Sequence, residues 1–138
     1  ACGNDNVGGK LRDFAGSLLA AIGAVEWVED ERLMDAVTAT SGSGPAYVFL
    51  LAEAMTKAAI AAGLPAGLAA RLVRETVAGS GALLRASPLD AMTLRKNVTS
   101  PGGTTAAALA VLMGPGDLEA VMERAIGAAT RRSRELAG

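Results

Sequence analysis

From Pro45 the chain reads PAYVFLLAEAMTKAAIAAG, a run that is apolar on nearly every side of a helix. A helix with no polar face has to be covered, by the centre of a core or by a bilayer. The run stops at Gly63, short of the roughly 20 residues that a bilayer requires. Glu53 and Lys57 also sit in its middle, where a charge costs about 2.5–3.5 kcal/mol at the membrane centre. The run is therefore expected as a buried helix of a folded domain and not as a membrane span. A chain of 138 residues buries roughly 70% of its unfolded surface, so a partner subunit is expected to supply part of the cover. The plainer alternative is a Glu53–Lys57 pair, four positions apart, on a solvated stripe. Both readings stay open at this point.

The rest of the chain follows the same helical plan. Hydrophobic residues make up 51% of it but aromatics only 3%, so the interior must be built from Ala, Leu, Val, Ile and Met, side chains that let helices approach closely. Lys10 to Ile22 places Leu11, Phe14, Ala15, Leu18, Leu19 and Ile22 at helical spacing, and Gly23 is expected to end that helix in the left-handed region. Val25 to Val28 alternates apolar and polar, but no second alternating run exists to pair with it, so it reads as an extended link that buries Trp27. Glu31 to Thr40 forms a short helix. After the Pro45 run, Gly63 stops the helix and Pro65 opens the next one. That helix has Leu68, Leu72, Val73, Val77 and Leu83 or Leu84 on its inner stripe, with Gly79 and Gly81 as interruptions explained by close helix packing. Ser87 is expected to cap a short helix with Pro88 behind it. Thr104 to Met113 forms another, GPGD breaks it, and Asp117 caps a last helix running to Leu136. The expected fold is all-α, a bundle of six or seven helices without a sheet, in one domain from residue 10 to 138. Residues 1–9, ACGNDNVGG, read as a flexible linker remnant of something longer.

Charge and cysteine usage remove several classes of function. The net charge is −1 with both signs spread along the chain, so there is no basic stripe for nucleic acid. The basic TRRSRELAG stretch lies where a helix C-terminus favours positive charge. The single Cys2 allows no internal disulfide, and no histidine is present, which removes the commonest metal ligand and general base. No metal site is expected. With no signal pattern, a reducing cytoplasm is the expected compartment. Glu29, Asp30 and Glu31 stand side by side and read as a solvated run.

Two stretches point to chemistry. In VTSPGGTTAAAL, Ser100, Gly102, Gly103, Thr104 and Thr105 precede or open a helix, where unpaired N–H groups and the helix dipole favour an anion. Glycines let the backbone come close, and the hydroxyls both donate and accept. In TATSGSGPAYVFLL the same plan is expected, with Ser41, Gly42, Ser43, Gly44 and Pro45 as a loop opening the apolar helix. The plainer reading is that Ser100 or Thr104 caps its helix and the glycines make a tight turn. SGSGPAY has neither the glycine spacing of a dinucleotide fingerprint nor the Gly-Lys-Ser/Thr of a triphosphate loop, and no strand and crossover surround it.

Four segments, DAVTATSGSGPAYVFLLAEA, GLP, LRKNVTSPGGTTAAAL and AATRRSREL, resemble in order and spacing the C-terminal half of pyrroline-5-carboxylate reductase, from about Leu11 to the end. The resemblance implies an all-helical dimerisation and substrate-binding domain that interlocks with a second copy, as a homodimer or a ring of dimers. In the family an N-terminal Rossmann domain, missing from this sequence, holds NAD(P)H, and no cofactor is expected on this chain alone. By the same resemblance, the Ser100–Thr105 stretch receives the carboxylate of 1-pyrroline-5-carboxylate, or of the product proline. Backbone N–H groups around Gly103, Thr104 and Thr105 would hold it, with the catalytic Thr105 hydroxyl near the ring nitrogen. Ser41, Gly42, Ser43, Gly44 and Pro45 would form the wall where nicotinamide meets substrate. The whole enzyme would be an oxidoreductase of proline biosynthesis, and the isolated chain inactive. The alternatives are a stand-alone helical interaction module, or a domain of a related imine reductase.

Overall fold

A computed structural model describes residues 1–137. Along them run α1 (Gly9–Ala20), a 3-10 turn (Glu31–Leu33), α2 (Met34–Val37), a π turn (Thr38–Gly42), α3 (Gly44–Ala61), α4 (Ala66–Ala86), α5 (Ala91–Asn97), α6 (Thr104–Leu112) and α7 (Leu118–Ala137). The described residues contain no strand, only a single parallel bridge between Cys2 and Val28, so Val25–Val28 is a link as its isolation in the sequence implies. None of the helices is long and apolar enough to cross a membrane. The chain divides into two compact units, Ala1–Ser43 together with the residues from Ile126 onward, and Gly44–Ala125.

In the first unit the link is stapled to α1. Arg12 Nη2 donates to Glu29 Oε1 at 2.6 Å, and its guanidinium lies 4.8 Å from the Trp27 ring centroid, a stacking that favours Arg over Lys. The same hydrogen bond holds the Glu29 carboxyl below its ordinary range. Of residues 1–9, read in the sequence as a flexible linker remnant, Ala1 and Cys2 meet this link, the Val28 N–H donating to the Ala1 carbonyl at 2.9 Å, and Gly9 opens α1. Helix α1 does not end as expected. The amides of Ala21 and Ile22 tighten onto the carbonyls of Leu18 and Leu19, closing the helix by a right-handed final turn. Gly23 accordingly does not take a positive φ.

In the second unit α3 and α4 pack on each other as a hairpin. Gly63, at φ +102°, terminates α3 as its sequence position predicts. Leu64 N–H reaches the Ala59 carbonyl and Gly63 N–H the Ile60 carbonyl, the paired bonds of a Schellman ending. Pro65 is the residue before α4 and not its first turn. Helix α4 runs unbroken through Gly79 and Gly81. A Cβ on either would meet nothing, so close packing within the described chain does not account for them. Ser87 ends α4 and does not cap α5. Pro88 pushes the preceding residue out of the helical region, Ser87 has ψ 140°, and its hydroxyl accepts from Leu89 N–H at 3.1 Å. Asp90 is the cap, accepting from Thr93 N–H at 2.7 Å. Asp117 caps α7 as expected, accepting from Ala120 N–H at 2.8 Å.

The buried hydrophobic core among the described residues is small: Ala39 in the first unit, Ala69 and Val73 in the second. Helix α3, which the sequence requires to be covered, leaves Phe49 71% and Leu50 64% exposed. Its Lys57 Nζ donates to Glu53 Oε1 at 2.5 Å, so the pair of the plainer reading forms, on a helix that also keeps its apolar faces bare.

Candidate functional site

Residues Ser100–Gly103 form one turn, closed by Gly103 N–H donating to the Ser100 carbonyl at 3.1 Å. Pro101 presets the second position, and Gly102 takes the third at φ +69°, the arrangement of a type II turn that excludes a side chain there. At Gly103 the constraint is a different one: a Cβ would stand 3.2 Å from the Ser100 carbonyl oxygen, which would have to give by a few tenths of an ångström. The turn delivers the chain into α6 with Gly103 at the cap position in extended conformation.

No side chain caps α6, so the cap of the plainer reading does not form at Ser100 or Thr104, while the tight turn of the same reading does. The Gly103 N–H is already committed to the turn. The N–H groups of Thr104, Thr105 and Ala106 donate to nothing among the described residues; the first helical bond across the cap is Ala107 N–H to the Gly103 carbonyl at 3.2 Å. The N–H groups left open at this helix start are therefore those of Thr104, Thr105 and Ala106, and not that of Gly103. An open backbone N–H leaves no mark in residue type, so Ala106 is not legible in the sequence as one of them. Thr105 is half-buried, while Ser100 and Thr104 are exposed. Arg95 and Lys96 lie in the last turn of α5, just before the turn, but the Arg95 guanidinium donates to the Met113 sulfur at the far end of α6 and not to the ligand side of its start. The arrangement suits a small carboxylate or phosphate.

The stretch Ser41–Pro45 is built differently from the expected loop. Thr38–Gly42 is a π turn and Ser43 stays right-handed at φ −86°, ψ −20°, so the backbone enters α3 helically and forms no glycine nest. Ser43 N–H reaches the Thr38 carbonyl at 2.9 Å, and the Ser41 hydroxyl is spent on the Val37 carbonyl at 3.0 Å. Small residues permit this widened turn, a geometry found mostly as single turns and frequently at functional sites. Ser41, Gly42 and Ser43 belong to the first unit, and Gly44, Pro45 and the Ser100–Thr105 stretch to the second. No three His, Cys, Asp or Glu side chains converge as a metal site among the described residues. Along α3 and α4, Phe49, Ala52, Thr56, Ala70, Val73 and Val77, with Glu53, Lys57 and Arg74, line an apolar groove of about 630 Å³.

The described residues form an all-helical domain with bare apolar helix faces, and α6 is among the helices that start without a side-chain cap. A family model described as pyrroline-5-carboxylate reductase dimerisation matches residues 31–136. The pyrroline-5-carboxylate reductase of Pseudomonas aeruginosa is 46% identical over 134 residues, which are 97% of this chain and 49% of that protein. That of Haemophilus influenzae is 46% identical over 132 residues, 95% of this chain and 48% of that protein. Among solved structures, the Coxiella burnetii enzyme superposes with a TM-score of 0.93 at 38% identity, over 98% of this chain and 50% of that one. A Plasmodium falciparum pyrroline carboxylate reductase with NADP bound gives 0.81 at 31% identity, over 98% of this chain and 51% of that one. The chain belongs to the pyrroline-5-carboxylate reductase family, in the region of its dimerisation domain, and spans about half the length of the curated relatives it matches.

Proposed function

We propose that this chain is the subunit-pairing and substrate-holding part of an oxidoreductase that reduces 1-pyrroline-5-carboxylate to L-proline with NAD(P)H. Family membership across residues 31–136, a range that contains both candidate stretches, is the observation that carries the reading. The uncapped start of α6 supports the position of the substrate carboxylate, on the N–H groups of Thr104, Thr105 and Ala106. The Thr105 hydroxyl then faces the ring nitrogen, and Ser41, Gly42, Ser43, Gly44 and Pro45 make the wall on the cofactor side. The single cysteine and the family's metabolic role fit a reducing cytoplasm.

The chemistry asks little acid of the protein. An iminium nitrogen already carries its proton, so its ring carbon accepts hydride without a general acid, in keeping with a chain that has no histidine. What remains for these residues is orientation, which contributes up to about 7–11 kcal/mol of barrier lowering at the limit. The described residues fit no dinucleotide, because they offer neither a strand nor the glycine fingerprint that follows one. NAD(P)H would supply the hydride in the whole enzyme, and this chain by itself binds and pairs without turnover. The bare faces of α3 and α4 and the groove between them support pairing with a second copy, a self-complementary surface carrying Glu53 beside Lys57 and Arg74. Single pairs and rings of pairs both satisfy it.

Calorimetric titration of this chain with L-proline, with light scattering on the same sample, tests the reading. Heat on a particle of twice the chain mass is expected, and Thr105→Val should weaken binding about 10- to 100-fold, the loss of one hydrogen bond to a charged group. Heat unchanged in Thr105→Val overturns the site. No heat on an intact pair overturns the substrate-holding half and leaves pairing.

A further inference from the structure

The basic C-terminal stretch and the short helix α2 are joined by a contact that neither the fold class nor the substrate reading requires. The Ser133 hydroxyl donates to Asp35 Oδ1 at 2.7 Å across 98 positions of sequence, and Arg134 Nε stands 3.6 Å from Asp35 Oδ2. The Asp35 side chain is only 24% exposed while that of Arg134 is 65% exposed. The carboxylate is therefore the sheltered partner, and the guanidinium reaches in from solvent. All three residues lie within one compact unit.

What Asp35 sits on gives the contact its meaning. Helix α2 spans four residues, too few to hold itself, since the first turn of a helix fixes several residues for one hydrogen bond. The π turn follows at once and is itself an uncommon geometry, closed by Ser43 N–H on the Thr38 carbonyl and by the Ser41 hydroxyl on the Val37 carbonyl. These last two bonds are local: they shape the turn without fixing its direction. A hydrogen bond from a 20-residue helix does fix it, and two partners on one carboxylate resist rotation better than one.

We infer that Asp35 is a positioning residue: through Ser133 and Arg134 it ties α2, and the π turn that carries Ser41, Gly42 and Ser43, to the C-terminal part of α7. The tether stands on geometry alone. Its consequence for ligand binding rests on the proposal that Ser41–Pro45 walls the substrate site.

Hydrogen exchange by mass spectrometry on the full chain separates the two. Ser133→Ala removes one hydroxyl from a half-buried position and leaves Asp35 and Arg134 in place. It is expected to speed amide exchange in Thr38–Ser43 about five-fold, with the α3 and α4 amides unchanged. Asp35→Ala should do the same or more, and Asp35→Asn, whose amide oxygen still accepts from Ser133, should restore most of the protection. Exchange in Thr38–Ser43 that is unchanged in Ser133→Ala overturns the tether. So does acceleration spread equally over all helices, which would mark a merely structural role. L-proline titration of the same variants reads the consequence: binding weakened by Ser133→Ala with Thr105 intact extends the tether to the site. Absence of proline heat in the unsubstituted chain counts against the substrate reading, while the exchange result still decides the tether.

Discussion

At the scale of single residues, the stretch before α6 assigns a different physical task to each of its members. Pro101 and Gly102 turn the chain, Gly103 lets the Ser100 carbonyl come close, and Thr104–Ala106 present their N–H groups. Gly102 is the most exposed to test, because φ +69° penalises any side chain by roughly 1–2 kcal/mol. Gly102→Ala should therefore lower the thermal midpoint by about 4 °C, read by circular dichroism, and weaken proline binding along with it. A variant as stable as the parent would mean that the turn relaxes to another form, and the donor set with it. Thr105→Val is the complementary change, costing binding while leaving the fold in place.

At the scale of elements, end chemistry decides where helices stop. Hydrogen bonds donated by the Thr93 backbone N–H and hydroxyl hold the Asp90 carboxyl below its ordinary value of 3.8. A lowered folded value means that the unfolded chain takes up the proton first. The cap's contribution is therefore complete above pH 3.8 and fades as pH falls through the lower folded value. Asp90→Ala should lower the thermal midpoint at pH 7 by about 4 °C. The gap between variant and parent should close in a melt series taken towards pH 2, and a gap that does not narrow there would assign the loss to something other than the charged cap. Helix order was legible in the sequence because apolar spacing and helix breakers survive any tertiary context: the Gly63 stop, the Asp117 cap and the Ser100–Gly103 turn all carry strong local signals. Ser87 was mistaken for a cap because Pro88 acts on the residue before it. Gly23 was mistaken for a stop because a right-handed last turn satisfies the same carbonyls. The π turn at Thr38–Gly42 was not legible at all, since a hydrogen bond shifted by one residue leaves no pattern in side-chain type. The Asp35–Ser133 contact was equally silent, because the two are ordinary polar residues 98 positions apart.

At the scale of the whole molecule, the apolar run from Pro45 poses a demand for cover that its exposed side chains show is not met within the described chain. Phe49 and Leu50 stay mostly exposed and Leu51 47% exposed, and burial of such side chains contributes about 1.5–3 kcal/mol each. Covering a few of them is comparable to the entire stability of an ordinary domain, so a second copy seated on α3 and α4 would be part of the fold and not an addition to it. Gly79 and Gly81 fit the same account, since a Cβ at either meets nothing in the described chain. Alanine at an uncovered helix interior gains about 1 kcal/mol over glycine, so Gly79→Ala should raise stability if that face is free and lower it if a partner's backbone lies there; pairing predicts the second. The sharper test is Leu51→Asp, a charge that no apolar interface accommodates. Light scattering should fall from twice the chain mass to one chain mass, and the thermal midpoint should lose its dependence on protein concentration, because dissociation no longer accompanies unfolding. An unchanged mass would place the pairing surface away from α3, leaving the apolar run without the cover that its sequence demands.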